Sequence, residues 1–193
     1  MSKFFLEEPS LEREKDVLDY INEHKKYASN VDGTVFFVCL LTGDTYYDCL
    51  VKENNLSDEM FAKENRLIPS KTYFFTRKTD NRITGMINIR FNLSKEDEIY
   101  GNIELGIRPS MRGRGYGNIL LYLGLEKALN EFNLDKVLVS FDKENKDILK
   151  TITNLSGVYL KGVFDKSRNK MVNIYEIDTK KSLEDNYEKY GKD

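Results

Sequence analysis

A chain of 193 residues with 40% hydrophobic content suits one medium-sized domain and argues against two. Its 30 basic and 32 acidic residues leave a formal net charge of -2, which excludes the broad basic face of a general DNA or RNA binder. Two cysteines, Cys39 and Cys49, and one histidine, His24, exclude a disulfide framework and leave almost no material for a metal centre or a His-based nucleophile dyad.

The opening apolar run is too short for a secretory signal, and charges follow it at once. The longest apolar stretch, 35–41, is far below the roughly 20 residues that span a bilayer. The expectation is a cytoplasmic protein with neither membrane nor nucleic acid as partner. Residues 3–6 read as a short strand stopped by Pro9, and Ser10 is placed to cap a helix over 11–27. Leu11, Val17, Leu18 and Ile21 draw its apolar stripe, and His24 is expected to be solvated on the charged side. Residues 28–70 are weakly patterned: 35–41 reads as a buried strand or helix, and 44–54 as a helix. Cys39 and Cys49 read as small buried residues.

From 71 the pattern sharpens. Tyr73, Phe74, Phe75 and Thr76 are β-rich, Thr79-Asp80-Asn81 supplies turn chemistry, and Ile83, Ile87, Ile89 and Phe91 alternate along a second strand. A polar loop over 92–98 leads to a third strand over 99–107. After a glycine cluster, Leu120, Leu121, Gly124, Leu125, Ala128, Leu129 and Phe132 line one face of a helix. Val137, Leu138 and Val139 mark a buried strand over 136–141. A shorter helix over 145–155 stops near Gly157, and 158–164 with 171–177 flank a polar turn at 165–170. The charged tail, 179–193, reads as a surface helix or a disordered segment. The sum is a single α+β (α/β mixed) domain over 1–193, with a strand-helix-strand crossover near its middle.

The chemistry concentrates between Ile107 and Asn118. A strand runs into glycines spaced by two (Gly113, Gly115, Gly117) and a helix starts directly. Glycines there let successive N–H groups point into one concavity, and a helix N-terminus adds unpaired donors and partial positive charge. Arg108, Arg112 and Arg114 add cations with no acid between them. Together these describe a diphosphate cradle. No Lys-Ser/Thr pair follows the glycines, so the segment is not a P-loop, and Asn118 stands where a G-x-G-x-x-G fingerprint would end.

Arg112-x-x-Gly115-x-Gly117 resembles the [Arg/Gln]-x-x-Gly-x-[Gly/Ala] loop of the GNAT superfamily, the acyl-CoA-dependent N-acetyltransferases. The resemblance extends upstream to Glu104-Leu105-Gly106-Ile107-Arg108-Pro109. Downstream it takes in Asp142-Lys143-Glu144-Asn145 and the Asn154-Leu155-Ser156-Gly157 break. It is strongest over 71–178, leaves 28–70 as an insertion-like region, and looks most like a bacterial group whose acceptors are unassigned. It implies a mixed, mostly antiparallel sheet whose fourth and fifth strands splay apart, flanked by helices.

Acetyl-CoA would lie in that V without a metal. Its pantetheine arm would pair with the edge at Leu105 and Ile107. Its pyrophosphate would rest on the N–H groups of Arg112, Gly113, Arg114, Gly115, Tyr116, Gly117 and Asn118, and Asn145 would bond the pantetheine. Asn145 read by itself is equally a helix N-cap. The implied reaction is acetyl transfer to a primary amine of a small molecule or a protein. Glu104, the one carboxylate in its strand, is the candidate base or amine anchor, and a salt-bridged strand residue on the plain reading. Where many family members carry a tyrosine to protonate the leaving thiolate, this chain has Ile152, and neither Tyr116 nor Tyr159 is an evident substitute. That departure keeps a catalytically silent acyl-CoA-binding module as the alternative. The sequence leaves the oligomeric state open, a homodimer included.

Overall fold

Alternation along the strand at 70–77 splits its side chains between two cores, and that split organises the molecule. Tyr73 and Phe75 enter one core while Phe74, between them, enters the other. The computed structural model describes residues 3–166 and 168–191. Met1, Ser2, Ser167, Lys192 and Asp193 lie outside the described residues, and with them the extreme N-terminus, the end of the predicted tail and one position of the predicted 165–170 turn.

Seven strands form one sheet: β1 (Phe4–Glu7), β2 (Ser70–Arg77), β3 (Arg82–Arg90), β4 (Ile103–Ile107), β5 (Lys136–Asp142), β6 (Val158–Asp165) and β7 (Lys170–Asp178). Their spatial order is β1-β2-β3-β4-β5-β7-β6. All neighbours are antiparallel except β4 and β5, which are parallel. The crossover between those two carries the long helix α4 (Tyr116–Phe132), which buries Leu120, Leu121, Leu125 and Ala128 against Ile87, Ile89, Ile103 and Val139. The opposite face is covered by α1 (Glu14–Lys26) and α2 (Tyr46–Asn55), with Val17, Tyr20, Ile21, Phe37 and Leu50 packed on Phe74, Ile83 and Met86. Two shorter helices, α3 (Glu59–Glu64) and α5 (Lys146–Asn154), and a C-terminal α6 (Thr179–Asn186) complete the fold. Among the described residues, no helix is long and apolar enough to cross a membrane.

Several expectations change. Ser10 is extended and makes no side-chain cap; a single 3-10 turn, Leu11–Arg13, precedes α1. The 35–41 stretch is neither strand nor α-helix but a 3-10 turn, Phe37–Leu41. The strand expected from 99 begins at Ile103, because Asp97–Tyr100 closes a 3-10 turn that ends on Gly101 at φ 69. Beyond α5 it is Ser156 that takes the left-handed conformation, at φ 63. Gly157 is needed for space, since a Cβ there would lie 2.2 Å from the Ile152 side chain. The tail is helical and packed: Tyr190 meets Tyr122 at 5.9 Å between ring centres.

One buried carboxylate ties the weakly patterned 28–70 segment to the sheet. Glu53, on α2, is almost inaccessible and accepts hydrogen bonds from Thr34 Oγ1 (2.8 Å), the Val35 amide (3.2 Å), the Phe36 amide (2.5 Å) and Thr72 Oγ1 on β2. Removing it strands four donors away from water. Glu53→Ala should therefore lower the unfolding free energy by about 3 kcal/mol in urea titrations, with loss of near-ultraviolet dichroism from the α1/α2 side.

Candidate functional site

The site begins where two parallel strands part. β4 and β5 share one register pair, Ile103 with Val139, supported by the Asn102 amide on Leu138 O at 2.7 Å. On its other edge β4 stays paired with β3 as far as Ile107. The Arg90 amide bonds Asn102 O and the Arg108 amide bonds Thr84 O, so by alternation the backbone groups of Leu105 and Ile107 face the side that β5 has left. A cleft of about 610 Å³ opens there, lined by 105–107, by 111–113 and 115–118, by α5 and by the 28–32 loop. Its volume is in the range of small-molecule sites.

Its floor is the turn into α4. Gly113 (φ 73) and Gly115 (φ 78) are left-handed, and a Cβ on either would meet nothing within 4 Å. The glycines thus serve backbone direction rather than space. Among the described residues, the amides of Gly113, Arg114, Gly115, Tyr116 and Gly117 find no acceptor, whereas Arg112 and Asn118 donate to Pro109 O and Gly115 O. Five consecutive free donors at a helix start form an anion nest.

The three arginines divide. Arg108 is fully buried and turned away from the nest, bonding Ile83 O through Nε (2.8 Å) and pairing with Asp19 (2.8 Å) and Glu23 (3.0 Å). Its place in the cationic cradle is thereby corrected. Arg112 donates through Nε to Ile107 O (3.0 Å) and through Nη2 to Ser29 Oγ (2.6 Å), bracing the end of β4 to the 28–32 loop. Arg114 is exposed beside the nest.

The second wall is α5. Asn145 caps that helix, its Oδ1 accepting from the Ile148 amide at 3.2 Å, and it also lines the cleft. Asn118 and Asn154 meet across the cleft at 3.3 Å, and Lys150 and Thr151 line it too. Lys150 is a cation that spacing did not single out. Ile152 points into the core and is fully buried. Tyr159 is exposed on β6 against Tyr175, outside the cleft, whereas Tyr116 lines it.

The third wall is the 28–32 loop. Its carrier is His24, which sequence reasoning places in solvent. The ring is wholly buried against Tyr20 (4.6 Å between centres), and Nδ1–H donates to Asn30 O at 2.6 Å. The tyrosine-lined pocket was invisible in the helical pattern, because Tyr20 counts as either polar or apolar. The loop lies directly on the sheet: a Cβ at Gly106 would come 2.5 Å from Asp32 O, and one at Gly33 2.1 Å from Met86 O. Glu104 projects to this side. It pairs with Arg90 and accepts weakly from the Gly33 amide (3.4 Å). Asp32 itself lines the cleft. Far from it, Cys39, Asp44 and Cys49 bring ligand atoms within 4.8 Å of one another. Burial first, then the Cys39 and Asp44 charges, push the Cys49 thiol up to about 11, which disfavours the thiolate a metal would need.

The profile of the acetyltransferase (GNAT) family matches residues 36–150, and so takes in most of the 28–70 segment. No curated protein sequence matches the chain. Solved structures share its fold. Mutant forms of the spermidine/spermine N-acetyltransferase from Vibrio cholerae are 16% identical and superpose with a TM-score of 0.63, over 96% of this chain and 99% of that one. The ribosomal-protein-S5-alanine acetyltransferase from Vibrio fischeri is 10% identical, with a TM-score of 0.65 over 92% of this chain and 94% of that one.

The histidine under the third wall gives a clean pH signature, being the chain's single one. Burial holds its pKa below the ordinary value, with the Asn30 bond opposing. The unfolded chain then binds a proton that the folded chain does not, so stability is full above about pH 6.5 and declines as pH falls below it. Urea unfolding from pH 8 to 5 should show that decline, and His24→Gln should remove it.

Proposed function

The chain belongs to the acetyltransferase (GNAT) family, and we propose that it transfers an acetyl group from acetyl-CoA to a primary amine, of a small molecule or of a protein, by direct attack on the thioester. One observation carries the reading: among the described residues, the 113–117 amides find no acceptor and the 105–107 edge has no strand partner on the β5 side, and both face a single cleft.

The residues fit the co-substrate. The free amides at 113–117 suit a pyrophosphate, with Arg114 and Lys150 adding charge. The open edge at Leu105 and Ile107 suits amide groups that pair as a strand would, and Asn118 and Asn145 offer side-chain amides along the same path. When bound, acetyl-CoA supplies an activated acyl carbonyl. The protein's own contribution is to hold that carbonyl beside the splayed strand, to offer a backbone N–H near 105–107 to the developing oxyanion, and to exclude competing nucleophiles. Glu104 is proposed as an amine anchor acting through charge. Arg90 occupies one of its oxygens and the Gly33 amide the other, which argues against it as the proton acceptor.

The buried Ile152 favours the second reading, a module that binds acyl-CoA and transfers nothing. Thiol release measured with a panel of primary amines separates the two: an acetyltransferase releases CoA in proportion to acetylated amine, and a silent binder releases none. Gly115→Val tests the nest under both. A β-branched residue is strained at φ 78, so the amides swing out of line, yet a Cβ there meets nothing within 4 Å. Calorimetry should show acetyl-CoA affinity falling at least tenfold, about 1.4 kcal/mol, with the thermal transition lowered by only a few degrees.

A further inference from the structure

We infer that Asp32 receives the acceptor: its carboxylate binds the incoming ammonium group across from Gly106 and takes its proton before the amine attacks. The inference rests on the acetyl-transfer reading and adds to it a residue on the acceptor side of the cleft.

The reacting carbonyl must lie where β4 separates from β5, and the 28–32 loop crosses β4 at that place, with the backbone carbonyl oxygen of Asp32 2.5 Å from where a Gly106 Cβ would stand. Asp32 lines the cleft, and among the described residues its carboxylate takes part in no hydrogen bond or ion pair. The other carboxylate lining the cleft, Asp147, belongs to α5, on the wall assigned to the pantetheine arm. Glu104 is committed to Arg90, and the neighbouring Arg112 spends its donors on Ile107 O and Ser29 Oγ. Among the described residues, Asp32 is therefore the one acid near the splay with both oxygens available.

The loop is held for the task. His24 fixes Asn30, Arg112 fixes Ser29, and the Gly33 amide leans on Glu104. A proton acceptor should also be less acidic than an exposed aspartate. Burial raises the Asp32 pKa, the Glu104 charge raises it further, and Arg112 opposes them; Tyr20 lies close enough to feel the same charge. The step balances. The ammonium N–H bond breaks and its proton goes to the Asp32 carboxylate, thence to solvent through the open cleft. The freed lone pair forms the C–N bond, the C–S bond breaks, and the second amine proton leaves with the thiolate. The class of acceptor this selects is a cationic primary alkylamine.

The test is Asp32→Asn, nearly isosteric and facing solvent in the cleft, with Asp32→Glu as the conservative variant. Acetyl-CoA affinity by calorimetry should stay within twofold. For n-butylamine and 1,4-diaminobutane, kcat/KM should fall at least 100-fold in Asp32→Asn and recover in part in Asp32→Glu. The wild-type acid limb, midpoint above the ordinary aspartate value of about 3.9, should vanish in Asp32→Asn. A second readout needs no turnover: 1,4-diaminobutane binding, followed by NMR with CoA present, should weaken at least tenfold in Asp32→Asn. If the wild type acetylates no amine yet binds the diamine through Asp32, the acetyl-transfer reading falls and the acceptor site stands. If Asp32→Asn matches wild type in turnover or in amine binding, or the wild type binds no amine at all, the assignment of Asp32 is overturned.

Discussion

The structure depends on the parting of β4 from β5. After Ile103 and Val139, β4 keeps its bonds to β3 on one edge and, among the described residues, has no strand partner on the other. Unpaired strand edges in a sheet interior are costly and are usually covered. Here α4 roofs one face and the 28–32 loop the other, and the edge stays open between them. The same divergence sends the chain into the turn at 112–117, where five amides point outward with no acceptor among the described residues. One topological event thus creates both the groove that suits an extended amide-bearing arm and the nest that suits its phosphates.

Charge is arranged to keep this opening firm rather than merely attractive. Arg108, the most deeply buried cation, satisfies Asp19, Glu23 and the Ile83 carbonyl, clamping α1 to the end of β4. Glu23 in turn accepts from the Ser110 amide at 2.8 Å, just ahead of the nest. Breaking a buried, hydrogen-bonded charge of this kind is far costlier than losing a surface pair. The 28–32 loop and the nest are therefore both pinned to α1, through the neighbouring His24 and Glu23.

What was legible in the sequence follows from the range of the interactions. The hairpin at 70–90, α4 and the Arg112–Gly117 turn rest on local rules of alternation, helical spacing and left-handed glycines, and they stand where the pattern put them. Asn145 was readable as a cap because capping is local. The misreadings are non-local. Nothing near His24 reveals that Asn30 folds back onto it, and nothing near Arg108 reveals Asp19 across the sheet. Asp32 sits in an unpatterned loop, so only the close approach of two glycine-lined backbones, Gly33 on Met86 and Gly106 on Asp32, marks it. The strand at 99–102 was lost to a turn because Gly101 is pressed against the Leu138 carbonyl, where a Cβ would stand at 2.8 Å.

The most direct test of the account is amide hydrogen exchange, read residue by residue, with and without saturating acetyl-CoA. The account predicts slowing of at least tenfold at Gly113 to Gly117 and at Leu105 and Ile107, with α2 and the β6–β7 hairpin unchanged. Acetyl-CoA bound at saturation with those amides still exchanging at their free rates would contradict it.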